Sequence, residues 1–194
     1  MLTFGALCAA AAGFCLGGRL SRIERAGLFW LPLPIAALIF RLIALSLDFN
    51  YVGSVALVFS YGFLFLFLVK NRHLRLPILA LGLGSFLNFA VIAVNNFHMP
   101  VSTHAAAFLS SQGYFSLLTG EIPMYALADG TTRLGFLGDI IWFPIPLFRG
   151  FASVGDILMT AGLIVLILRI MAPTRPAVLF SGRKRSDAPN SPEA

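Results

Sequence analysis

Residues 133–169, RLGFLGDIIWFPIPLFRGFASVGDILMTAGLIVLILR, set two acids, Asp139 and Asp156, each at the edge of apolar sequence. From Ile157 to Leu168 no charge interrupts the run, and Arg169 and Pro173 close it. This reads as a membrane-spanning helix over 153–171. Ser153 suits its N-cap, and a carboxylate in the first turn suits the helix dipole. Asp139 lies on the short apolar segment just before. The remainder of the chain reads as a frame that brings both carboxylates to one face of a membrane.

Composition supports that frame. Of 194 residues 58% are hydrophobic and only 11% charged, with a mean hydropathy of +0.88. Long runs with almost no charge imply helices crossing a bilayer. The formal charge of +6 does not imply nucleic acid as a partner, because Lys and Arg fall between apolar runs and in the tail. Cationic loops of that kind orient membrane proteins. Cys8 and Cys15 would stand about 10 Å apart along a helix, too far to bridge, and read as small packing residues.

Four further runs predict helices over about 1–18, 27–46, 52–69 and 77–94. The first has its positive charge after it (Arg19, Arg22, Arg25), not before it as in a cleaved signal peptide, so it is expected to be retained with its N-terminus outside. Gly13 and Gly17 in it form a small-xxx-small pair suited to close helix contact. The second opens near Pro32 and Pro34 and carries Arg41 inside apolar sequence, with Asp48 two turns on. An Arg there either reaches an interface or pairs with an acid. Lys70, Arg72 and Arg75 follow the third. Gly82 and Gly84 in the fourth imply a close backbone approach, and Asn88 a hydrogen bond to another helix. An outer loop over 95–152 follows, and its 97–133 portion is long enough to be functional. Trp30 and Trp142 suit interfacial anchors. Residues 173–194 read as a disordered cytoplasmic tail. The expected fold class is an all-α polytopic membrane protein. It has five transmembrane helices, the N-terminus outside, the C-terminus cytoplasmic, and a long, partly helical outer loop between helices 4 and 5.

In that topology Asp48, Asp139 and Asp156 all fall at the outer end, with Asn88 and Asn95 near the same level. Two carboxylates sharing a partly dry site cannot both ionise cheaply; one keeps a proton and the other activates water. Asp139 and Asp156 are the candidate pair, and Asp48, Asn88 and Asn95 the candidate positioning groups. The spacing of His98, His104, Glu121 and Asp129 fits no standard metal site, so neither metal nor cofactor is expected.

LGDIIWFP and FASVGDILMTAGLIVLIL together resemble the C-terminal part of signal peptidase II, the lipoprotein signal peptidase. That family has a V-V-D-F-I stretch and then F-N-x-A-D opening its last helix, and the two aspartates form its catalytic dyad. The resemblance matches Asp139 to the first and Asp156 to the second. It implies hydrolysis of a peptide or lipidated substrate at the outer leaflet. Ser153 stands where that family has Asn, and Val91 and Ile92 stand in place of the Asp and Arg of its N-x-x-D-R motif. Over its whole length the chain is more similar to an uncharacterised bacterial membrane family. The marks are GGRLS after helix 1, Asn95 with Met99–Ser102, then LGD and SVGD. That resemblance implies a multi-pass protein of the bacterial inner membrane and carries no assigned activity. The leading expectation is a structural, assembly or partner-binding membrane protein that uses the 97–133 loop as its surface. Its partners would be the lipid bilayer and a membrane protein or lipidated peptide. The alternative is an interfacial aspartic-type hydrolase built on Asp139 and Asp156.

Overall fold

The computed structural model describes residues 1–19, 21–22, 27–46 and 51–171. Arg25, Asp48 and the tail 173–194 lie outside the described residues. Five apolar helices form the body: α1 (Leu2–Cys15), α2 (Pro32–Ser46), α3 (Tyr51–Lys70), α4 (Leu76–Val94) and, at the end of the chain, α7 (Val154–Met171). Of these, α3, α4 and α7 are long and apolar enough to cross a membrane. With 14 and 15 residues, α1 and α2 are shorter. At 1.5 Å per residue each covers about 20 Å of a hydrocarbon core that is about 30 Å thick. The five expected spans therefore divide into three of crossing length and two that fall short of it.

α7 packs between α1 and α4, and α2 packs on α3. Close approach of main chains sets these contacts. The tightest point is where Gly84 of α4 meets Gly155 of α7, where a Cβ on either residue would strike the other's carbonyl. On α1 the buried stripe is Gly5, Ala9 and Gly13, lying against Thr160 and Met171 of α7. The expected small-residue pair of Gly13 and Gly17 is thus only half right. Gly17 has φ +75° in the turn after the helix and, among the described residues, nothing within 4 Å of where a Cβ would be. Cys8 and Cys15 are exposed rather than packed.

Buried polar side chains join the helices. Ser60 Oγ donates to the Ala37 carbonyl at 2.8 Å, tying α3 to α2. Asn71, fully buried, donates to the carbonyls of Phe29 and Phe67 and accepts from the Phe29 N–H, which fastens the end of α3 to the segment entering α2. Arg22 donates to the Met171 carbonyl at 2.8 Å, a cation placed on the C-terminal carbonyls of α7.

Residues 95–153 fold as a cap over the opposite end of the bundle. β1 (Met99–Val101) pairs in parallel with β2 (Tyr125–Leu127), Pro100 opposite Ala126. Between them run α5 (Thr103–Ala106) and α6 (Ser111–Leu118), whose first turns are capped by the hydroxyls of Ser102 and Ser110. β3 (Ile141–Phe143) and β4 (Gly150–Ala152) form an antiparallel hairpin. Val101, Ala105, Ala106 and Leu117 give the cap its own small core. Phe4 of α1 packs against Phe143 and Phe148 at 5.6 and 5.5 Å, seating the hairpin on the bundle. Trp142, expected as an interfacial anchor, stacks on Phe108 within the cap. The all-α expectation describes the bundle and misses these two ladders.

Candidate functional site

Asp139 follows a short 3-10 turn at Gly135–Leu137 and lies alongside β1 as an isolated parallel bridge to Val101. Its N–H donates to the Pro100 carbonyl at 2.8 Å, and its own carbonyl accepts from the Ser102 N–H at 3.0 Å. Two main-chain bonds therefore fix the residue, and neither depends on the carboxyl group. Gly138 makes this approach possible, because a Cβ there would collide with the Pro100 carbonyl. The residue is 3% exposed, and its Oδ1 has no hydrogen-bond partner among the described residues. Asp139 is thus not a helix-capping acid.

Asp156 is one. Its N–H donates to Ser153 Oγ at 3.0 Å, and its Oδ2 accepts from the Ser153 N–H at 3.0 Å. This reciprocal pair is a capping box with Asp in the third helical position. Its other oxygen, Oδ1, accepts from Asn88 Nδ2 of α4 at 3.0 Å. Ser153 Oγ donates to Asn88 Oδ1 at 2.8 Å, so one amide holds both the cap and the acid. Gly155 permits this too, since a Cβ there would sit on the Asn88 side chain. The two Gly-Asp pairs serve one purpose: each glycine lets its acid's main chain press against the element that holds it.

Both carboxyl groups line one small chamber of about 70 Å³ between cap and bundle, together with Arg41 of α2, Tyr61 of α3, Asn88 of α4 and Tyr125 of β2. That volume holds a few water molecules, and its lining offers them polar partners. Burial, and after it the negative charge of Asp156, push the Asp139 carboxyl up to about 7, while the Arg41 guanidinium opposes the shift. At neutral pH this group is poised between its protonated and charged forms. Burial likewise raises the Tyr125 phenol, so it remains a hydrogen-bond donor.

Among the sequence-derived candidates, Asp139, Asp156 and Asn88 meet at this chamber. Asn95 does not. Its amide donates to the carbonyls of Val91 and Arg133 and accepts from the Arg133 N–H, clipping the cap to the end of α4. Asp48 lies outside the described residues. Arg41 is the residue placed differently from the simplest expectation. It lines the chamber with the two acids instead of reaching out to an interface. Its position inside an apolar run was the available signal. No sequence signal marked Tyr61 or Tyr125.

A helical body with three helices long and apolar enough to cross a membrane, closed at one end by a small cap over a buried and a half-buried carboxyl group, defines the class: a membrane-type helical bundle with a polar chamber at one end. The chain belongs to a family of unknown function (DUF5317), whose model matches residues 21–168. No curated protein and no solved structure matches it. The similarity to an uncharacterised family thus stands, whereas the resemblance to signal peptidase II gains no support from these comparisons.

Proposed function

We propose that the chamber is an acid–base site and that the protein is an aspartic-type hydrolase of the outer membrane leaflet. The observation that carries this reading is the contrast between the two acids. Asp156 is a carboxylate held by two donors, Asn88 Nδ2 and the Ser153 N–H, and Asp139 is a buried carboxyl with an oxygen unpartnered among the described residues, in the same water-sized space. Asp139, protonated, would donate to the carbonyl oxygen of an amide or ester. Asp156 would take a proton from the attacking water as its oxygen bonds to the carbonyl carbon. That proton then passes to the leaving amine or alcohol, and Asp139 recovers its own from the collapsing intermediate. Arg41 would balance negative charge on the carbonyl oxygen. The chamber admits the water and one carbonyl group, so the rest of a substrate would lie outside it, along the cap and the lipid. Five membrane passages with the cap outside, in a bacterial inner membrane, are part of this proposal.

The test is a comparison of membranes from cells carrying the wild-type chain, Asp139→Asn or Asp156→Asn. Peptide and lipopeptide termini are mapped by mass spectrometry. The expected outcome is one uncleaved membrane-bound species that accumulates in both variants while each protein stays at wild-type abundance. Identical termini in all three strains would overturn it.

A second reading, a partner-binding protein, draws on the cap's outward face. A hollow of about 460 Å³ where the cap meets the end of α4 is lined by Asn96, His98, Asp129 and Arg133 among others, and Tyr114, Phe115 and Leu118 of α6 are exposed elsewhere on the cap. On that reading the acids only hold the fold, and substitutions in α6 release a co-purifying membrane protein.

A further inference from the structure

The end of the bundle away from the cap carries a second feature. α4 packs closely on α7 but meets α3 along a much shorter seam. Between α3 and α4 this leaves an apolar groove of about 790 Å³. Leu76, Leu79, Leu83 and Phe86 of α4 are exposed along it, three or four residues apart, and Val69 of α3 faces it from the other side. The α4 stripe from Leu76 to Phe86 is roughly 15 Å long at 1.5 Å per residue, which is the depth of one leaflet of a hydrocarbon core about 30 Å thick.

Arg72 and Arg75 stand at the mouth of this groove, on the short turn between the two helices. Both are exposed, and neither guanidinium makes a hydrogen bond or ion pair among the described residues. Their position is nonetheless built. Buried Asn71, directly before Arg72, is held by three hydrogen bonds, and Arg75 adopts φ +49° at the start of α4. Two other guanidinium groups at this end are engaged, Arg22 on the Met171 carbonyl and Arg169 on the Leu74 carbonyl, while exposed Arg19 lies outside the groove. The acids among the described residues, Glu121, Asp129, Asp139 and Asp156, all belong to the cap or the capped end of α7. The groove therefore joins a one-leaflet apolar bed to two planar cations that no acid neutralises among the described residues. That combination fits an anionic phospholipid, acyl chain along α4 and phosphate across the two guanidinium groups.

We infer that the α3–α4 groove is a binding site for one anionic phospholipid of the leaflet opposite the cap. Zwitterionic lipid offers the same acyl chain, but its ammonium offsets the phosphate, so the arginines make the site selective.

Native mass spectrometry of the full chain, titrated in detergent with phosphatidylglycerol or with phosphatidylcholine of the same acyl length, tests this. The wild-type protein should retain one phosphatidylglycerol at a concentration at least several-fold below that needed for phosphatidylcholine. Arg72→Gln with Arg75→Gln should abolish that preference and leave the chain folded, since both side chains are exposed. Gly82→Leu lies in the groove, where the nearest atom to an added Cβ is Leu68 Cδ1 at 3.9 Å. It should displace both lipids alike. Arg19→Gln, outside the groove, should change nothing. Equal binding of the two lipids by the wild type would overturn the inference. So would a preference that survives the double substitution, or one lost equally on Arg19→Gln, which would mean diffuse charge and no site.

Discussion

Asp139 exchanges solvent for a site that satisfies its main chain and leaves one carboxyl oxygen bare. The consequence is a pH-dependent term in stability. Its carboxyl moves from 3.8 to about 7 on folding, first because of burial and then because of Asp156. Between those pH values the native state holds a proton that the unfolded chain has released. Stability therefore falls as pH rises through this window and levels off above it, by roughly 4 kcal/mol at most. Asp139→Asn removes the charged form. The variant should melt higher than wild type at pH 8, and the two should converge as pH approaches 4. Thermal unfolding in detergent at both pH values measures this; an offset independent of pH would contradict it. A variant that is better folded and yet inactive is the signature expected of a strained functional acid.

At the level of elements, the chamber depends on how α4 meets α7. Gly84 and Gly155 bring the two main chains together, and Asn88 then spans the gap to Asp156 and Ser153. Gly155→Ala would place a methyl group on the Asn88 amide. It should cost about 1–3 kcal/mol through overpacking, read as a lower melting temperature at every pH. Gly150→Ala, with open space around it, should do neither harm nor good beyond a few tenths of a kcal/mol. A melting temperature unchanged by Gly155→Ala would mean that the seam is looser than this geometry. The glycine before each acid was legible in the sequence as a shared context, LGD and VGD. The reason for it was not legible, because the collisions avoided are with Pro100 and Asn88, distant in the chain. The N-cap at Ser153 and the first-turn acid were legible, being local, though not the reciprocal bond that joins them. The cap's ladders were not: strands of three residues leave too little alternation to distinguish them from loop.

The chamber is a property of the whole molecule, since its walls come from α2, α3, α4, α7 and the cap. Long apolar runs, which announce themselves in composition, made the bundle readable. Bringing Arg41 to Asp139 and Asp156 requires α2 and the cap to meet at one end, and nothing in local sequence specifies that meeting. The most direct test of the account is an infrared titration of the protonated carboxyl band in the full-length protein, with Asp139→Asn as the assignment control. The predicted result is a band that titrates near pH 7 and vanishes in that variant. Its midpoint should move down in Asp156→Asn, where a negative neighbour is lost, and up in Arg41→Gln, where a positive one is lost. A band that titrates near pH 4, or a midpoint indifferent to both neighbours, would mean that the two acids do not share a chamber and that the acid–base reading is wrong.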